Sequence, residues 1–193
     1  MKRALALTLA LLGAALAGGR EAGPIQAMPM NHAAMNHSMQ DMNAMMLAEL
    51  RPLRGQAFDT KWTELMTQHH QMALAMAQYE LKNGTDARVK ANAQQVLSAQ
   101  QREIEQMQGW LRAWGAPAPM DMSSHMTVTR SGSQSADRWF LTEMIPHHQG
   151  AVDMAKLALT RTKNAELLKL AQNIIKTQSA EIALYQQWLK AVK

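Results

Sequence analysis

Met144-Ile145-Pro146-His147-His148-Gln149-Gly150-Ala151-Val152-Asp153-Met154-Ala155 decides the fold, because much of it occurs twice in the chain. The earlier copy reads Met66-Thr67-Gln68-His69-His70-Gln71 and continues through Ala73, Met76 and Ala77. The two His-His pairs hold four of the seven histidines and stand 78 positions apart, from 69 to 147. The same offset, with no gap, also matches Asp59 with Asp137, Ala93 with Ala171, Gln100 with Gln178 and Glu103 with Glu181. Ile104, Gln108, Trp110 and Leu111 find Ile182, Gln186, Trp188 and Leu189. A repeat this long is a duplicated structural unit, not a duplicated motif.

Each unit reads as a helical hairpin. In the first, from about Phe58 to Trp114, Asn83-Gly84-Thr85 interrupts the pattern. Thr85 is placed to cap the second helix, and Gly115 to end it. The second runs from about Ala136 to Val192, with a break near Thr162-Lys163-Asn164. One hairpin cannot bury its own apolar face, so two related hairpins predict an all-α four-helix bundle with pseudo-twofold symmetry. Pro146 is irregular there, since a proline removes one helical hydrogen bond. Either a helix starts near it or one is kinked at it.

Helical spacing places the polar groups. Trp62, Leu65, Met66, His69, Ala73, Met76 and Ala77 fall on one stripe. Phe140, Met144, His147, Ala151, Met154 and Ala155 form its counterpart. The leading histidine of each pair is thus predicted to face the interior, with His70 and His148 on the flank. On the second helices, Val96, Gln100, Glu103, Met107 and Leu111 share a stripe, as do Ile174, Gln178, Glu181, Tyr185 and Leu189. A glutamate on an apolar face is costly unless paired, protonated or bound to a metal. With the first turn centred near Gly84, residue 69 lies level with 100 and residue 66 with 103. The second hairpin repeats this with 147 and 178, and 144 and 181. Each His-His pair therefore meets its own Gln and Glu. The glutamates have three readings: they ligate a metal, orient an imidazole that does, or complete a satisfied polar core.

Composition limits the rest. The chain has 193 residues, 17 methionines and no cysteine. Disulfides and thiolate ligands are excluded, so a metal would be held by His, Met, carboxylate or amide groups. Lys2 and Arg3 precede an apolar run from Ala4 to Ala17 that ends in Ala15-Leu16-Ala17. This reads as a signal peptide over residues 1–17, cleaved after Ala17, and places the mature protein in the periplasm or outside the cell. The run falls short of the about 20 residues a spanning helix needs; a membrane anchor is the alternative reading. Losing Lys2 and Arg3 lowers the formal charge from +5 to +3, too mild to imply nucleic acid.

Residues 18–57 form a Met/His-rich tail that holds too few large aliphatic residues to order itself. It carries Met28, Met30, His32, Met35, His37, Met39, Met42, Met45 and Met46. A short helix is predicted from about Met39 to Leu50, stopping before Pro52. The linker, residues 116–135, adds Met120, Met122, His125 and Met126. Methionine stripes more often fill cores, but most of this tail lacks apolar periodicity. Thioether and imidazole together suit soft Cu(I) or Ag(I).

The stretch from Met144 to Ala155, with Gln178, Glu181, Ile182, Trp188 and Leu189, closely resembles the signature of the domain of unknown function 305 family. The resemblance covers about residues 58–192. The first unit is the more divergent copy, with Thr67-Gln68 in place of Ile-Pro. The resemblance implies a ferritin-like four-helix bundle, exported in bacteria, some of whose relatives are Met/His-rich copper binders linked to copper resistance. It further implies His147, His148 and Met154 as ligands, with His69, His70 and Met76 as their repeat counterparts.

These readings make an exported Cu(I)- and silver-binding protein the leading expectation, one that buffers, sequesters or transfers copper. The candidate core ligands are Met66, His69, His70, Met76, Glu103, Met107, Met144, His147, His148, Met154 and Glu181. Partners would be metal ions and another exported copper protein or efflux component. A ferritin-like iron oxidoreductase is the alternative, but such bundles use Glu-x-x-His pairs. Here Glu143 precedes His147 by four positions and Glu64 precedes His69 by five. A metal-free interaction or stress protein, with the methionines gripping apolar partners, is the third reading.

Overall fold

The structure is a computed structural model and describes residues 38–121, 123, 128 and 133–192. The described residues form five helices: α1 (Met39–Leu50), α2 (Gly55–Asn83), α3 (Ala87–Ala113), α4 (Ala136–Arg161) and α5 (Ala165–Trp188). The predicted signal peptide, Met28, Met30, His32, Met35 and His37, and Met122, His125 and Met126 of the linker, lie outside the described residues.

Short-range chemistry sets the helix ends. Ser38 and Asp41 make a reciprocal capping box at the start of α1. Asn164 caps α5 by accepting from the Glu166 and Leu167 amides. The cap of α3 is Asp86, which accepts from the Arg88 amide, and not Thr85 as the sequence suggested. Thr85 is spent elsewhere: its amide and hydroxyl both donate to Asp137 at the start of α4. Gly115 does end α3, with φ +70, a left-handed conformation that glycine adopts without strain.

Helices α2 and α3 form one hairpin, and α4 and α5 the other. The hairpins meet through α2 and α4, which run antiparallel. The Trp62 indole N–H donates to the Met154 carbonyl at 3.0 Å, His69 faces His147, and Tyr79 meets Trp139 edge-on. The pseudo-twofold axis thus passes close to the leading histidines. To one side a core gathers Phe58, Trp62, Met66, Met107, Met154 and Ile174. To the other, a second core gathers Met76, Val96, Phe140, Met144 and Tyr185. The fold is the expected four-helix bundle.

Helix α1 is added to that symmetry and rests mainly on α4. Leu50 is fully buried, and Met46, Leu47 and Leu53 pack against the first core. The Asn43 amide donates to the Pro146 carbonyl at 2.8 Å. Gly150 admits it: a Cβ there would overlap the Asn43 side chain. The repeat counterpart of Gly150 is Met72. α4 therefore sheds a side chain where α1 crosses it. It also runs unbroken through Pro146 from Ala136, so no helix starts at the proline.

Candidate metal centre

All four histidines are buried to zero exposure. The sequence placed His70 and His148 on the flank of the stripe, but they are as deep as His69 and His147. The His69 and His147 rings face each other across the axis with centroids 3.8 Å apart. His147 Nε2 lies 2.9 Å from the His69 carbonyl oxygen and can only donate to it. That fixes the His147 tautomer and leaves Nδ1 with its lone pair bare.

The glutamates meet the second histidine of each pair. His70 Nε2 lies 2.7 Å from Glu103 Oε2, and His148 Nε2 lies 2.8 Å from Glu181 Oε2. Only the first has full hydrogen-bond geometry; the second has the distance without the direction. Glu103 is held in turn by the Asn173 amide at 3.2 Å. Expected and observed partners differ by one helical turn, Met66 against His70. A helical side chain leans toward its own N-terminus. On antiparallel helices that tilts Glu103 toward the later residues of α2.

Hydrogen-bond accounting then singles out this layer. Buried nitrogens and oxygens are nearly always paired. Yet both ring nitrogens of His69, and Nδ1 of His70, His147 and His148, have no hydrogen-bond partner. Gln100 Oε1 and Gln178 Oε1 are buried and unpartnered as well. Burial, and then the neighbouring imidazoles, hold His69 well below the usual histidine range. Burial does the same to His147, helped by His148 and opposed by the bond to His69. Both rings are therefore neutral at physiological pH, the form that binds metals.

The predicted thioethers divide between the two cores. Met66, Met107 and Met154 lie in one, Met76 and Met144 in the other, each buried. Among the described residues, no three His, Asp or Glu side chains are grouped so as to hold an ion by themselves. The accessory methionines fare differently from expectation. Met39, Met42 and Met46 are half-buried in α1, and Met39 and Met46 pack against the cores. Among the described residues, Met45 and Met120 are the accessory methionines that stand in the open. Packing, not periodicity within the tail, recruits the first three.

A second polar pair went unnoticed in the sequence. Glu80 is fully buried beside Asp137, and its carboxyl is pushed up to about 8, by burial and then by that neighbour. Burial alone would raise Asp137 too. Bonds from the Asp86 amide, Glu80 and Thr85 outweigh it and hold Asp137 below the usual range. The only signal was a glutamate on the inner face of α2 close to its end.

The arrangement has known relatives. Among solved structures, CopM in its Ag-bound form superposes with a TM-score of 0.61 at 38% identity, covering 68% of this chain and 94% of that one. CopM in its Cu(I)-bound form gives 0.59 at 38% identity, covering 68% and 95%. A DUF305 fragment from Deinococcus radiodurans gives 0.59 at 28% identity, covering 69% and 96%. An uncharacterised protein, L153, of Acanthamoeba polyphaga mimivirus is 44% identical over 46 residues, 24% of this chain and 30% of that protein. The chain thus spans less than a third of the length of that relative. No described helix is long and apolar enough to cross a membrane. The family model for DUF305, a domain of unknown function, matches residues 10–111, 82–136 and 137–193, and the chain belongs to that family.

Proposed function

We propose that this protein is an exported binder of Cu(I) and Ag(I) that buffers, sequesters or hands on copper. The observation that carries the reading is the layer of buried imidazole nitrogens without partners. Leaving such groups unpaired costs about 1–3 kcal/mol each, and a bound cation is what recovers it. The donor set fits the ion: buried imidazoles between two cores that hold methionines suit a soft cation better than a hard one. CopM, solved with Ag, Cu(I) and Cu(II) bound, supports the same chemistry in a relative.

Within this reading His69, His70, His147 and His148 are the core ligands, with Met66, Met76, Met107, Met144 and Met154 as the adjoining sulfur donors. Glu103 acts as an orienting carboxylate on His70, and Glu181 stands in the corresponding place 2.8 Å from His148. A glutamate bonded to Nε2 holds the ring still and turns Nδ1 to the ion. The tail and linker residues, with Met45 and Met120 exposed, collect ions at the surface for the core or for an exported partner. The apolar run expected to be a signal peptide supports a location in the periplasm or beyond.

The test is a Cu(I) titration of the mature protein against a chromophoric chelator. Competitive uptake is expected, with the tightest site lost in a His70→Ala, His148→Ala variant. Absence of uptake overturns the reading. Unchanged affinity and stoichiometry in the variant moves the site to the tail.

A further inference from the structure

The duplication invites the assumption of two equivalent half-sites, and the side chains around them disagree. At the 78-residue offset, the counterpart of Met107 is Tyr185. The Tyr185 ring lies 5.6 Å from that of His148. Its hydroxyl donates to Asn92 Oδ1 at 2.7 Å, and the side chain is fully buried. Beside one histidine the protein has thus built a fixed neutral phenol. At the equivalent position of the first half stands Met107, fully buried and one turn along α3 from Glu103, whose carboxylate bonds His70.

The tyrosine cannot serve a soft cation. Its hydroxyl is committed to Asn92 Oδ1, and a phenol oxygen is a hard donor that suits a soft cation poorly beside a thioether. Asn92 also has no duplicate: its counterpart is Leu170, which packs in the same core as Met107. The tyrosine and the asparagine that holds it thus both differ between the two copies.

The glutamates tell the same story independently. Glu103 makes a directed bond to His70 and is anchored by Asn173. Asn173 has Gln95 as counterpart; both are exposed, but only Asn173 bonds the glutamate of the opposite half. His70 is therefore presented with Nε2–H committed and Nδ1 bare. Glu181 stands at 2.8 Å from His148 Nε2 without bonding geometry, so neither nitrogen of His148 is committed.

We infer that the two halves have diverged, so that His70, Met107 and Glu103 form the half that takes a soft monovalent cation, while His148, Tyr185 and Glu181 form a closed supporting half. This rests on the copper-binding reading above and deepens it. The core then loads one ion asymmetrically, not two symmetrically. Met107 is a direct donor, Glu103 and Asn173 are positioning residues, and Tyr185 blocks the second half.

The experiment is a titration of Ag(I) into the full mature chain, followed by the 15N resonances of assigned histidine side chains. Up to one core equivalent, His70 Nδ1 is expected to shift and His148 to stay. Met107→Leu, which nearly conserves volume, is expected to weaken the His70 response at least tenfold. Tyr185→Met is expected to make His148 respond beside His70. If His70 and His148 shift together in the unaltered protein, or His148 first, the asymmetry is wrong while copper binding stands. If His70 shifts at unchanged affinity in Met107→Leu, the thioether assignment is wrong. A folded Tyr185→Met variant with a silent His148 refutes the blocking role; should it not fold, the Met107→Leu result decides. If no core histidine responds, both this inference and the core-site reading fall.

Discussion

Glu80 should make the stability of this protein fall as pH rises, and Glu80→Gln should abolish that fall. Its carboxyl moves from an ordinary 4.5 to about 8 because it is buried beside Asp137. Each tenfold change in proton affinity is worth roughly 1.4 kcal/mol, so ionising Glu80 in the folded state costs on the order of 5 kcal/mol. This is an acid whose folded pKa is raised. The folded protein keeps a proton that the unfolded chain releases above about 4.5. Stability contributed by protonated Glu80 is complete below that pH and is lost progressively up to about 8. By pH 7 the loss is about 3 kcal/mol, from the same constant. His69 and His147 act in the opposite sense. Their lowered values mean the unfolded chain takes up protons below 6.5 that the folded protein refuses, so they destabilise as pH falls. The histidine effects are present in either protein, so the difference between variant and parent isolates Glu80. Glutamine keeps the shape and an N–H to offer Asp137, and it has no charge to lose. Urea unfolding of metal-free protein from pH 5 to 8.5 should show the two nearly equal at pH 5, with Glu80→Gln ahead by several kcal/mol at pH 8.5. A difference that does not change with pH would refute the argument.

Three further outcomes follow from the geometry. Trp62→Phe removes the donor to the Met154 carbonyl and opens a small void at the α2–α4 contact. It should lower the unfolding free energy by about 2 kcal/mol, read from the denaturant midpoint. Gly150→Val places methyl groups where the Asn43 amide sits, so α1 amides should exchange with deuterium much faster while those of α2 to α5 keep their protection. Removing residues 1–37 should cut the number of silver ions bound per chain and leave the core histidine response intact, as equilibrium dialysis with NMR would show.

How much of this was legible depended on whether the controlling contact was local or repeated. The hairpins, their breaks at 83–85 and 162–164 and the layer of His, Gln and Glu were legible, because each is written twice. The identity of the histidine that meets Glu103 was not. It turns on the lean of a side chain along its helix, which a level-by-level register ignores. The Asp137 clamp on Thr85 and Asp86 spans 51 and 52 positions, and neither partner carries a periodic signal. Asp59 duplicates Asp137 in sequence, yet its Oδ1 is buried with no partner, so the repeat alone gave no warning of the clamp. For α1 the clue was present but unread. Gly150 stands against Met72, and a lost side chain in one copy marks the place where something unduplicated docks.

That observation generalises to the centre itself. In the polar layer the copies agree: His69 with His147, His70 with His148, Gln100 with Gln178, Glu103 with Glu181. His69 and His147 face each other, so a change in either alters the surroundings of both. Elsewhere the copies part company, at Met107 and Tyr185, Asn92 and Leu170, Asn173 and Gln95, Met72 and Gly150. Such a difference gives one half surroundings the other lacks. The duplicated unit has therefore not made two sites that happen to touch. It has made one buried layer whose shared middle is four buried imidazoles and whose surroundings are free to differ. On the proposed copper reading, a soft cation meets there two histidines of equal depth but unequal surroundings, and its choice between them falls to the residues that the repeat did not preserve.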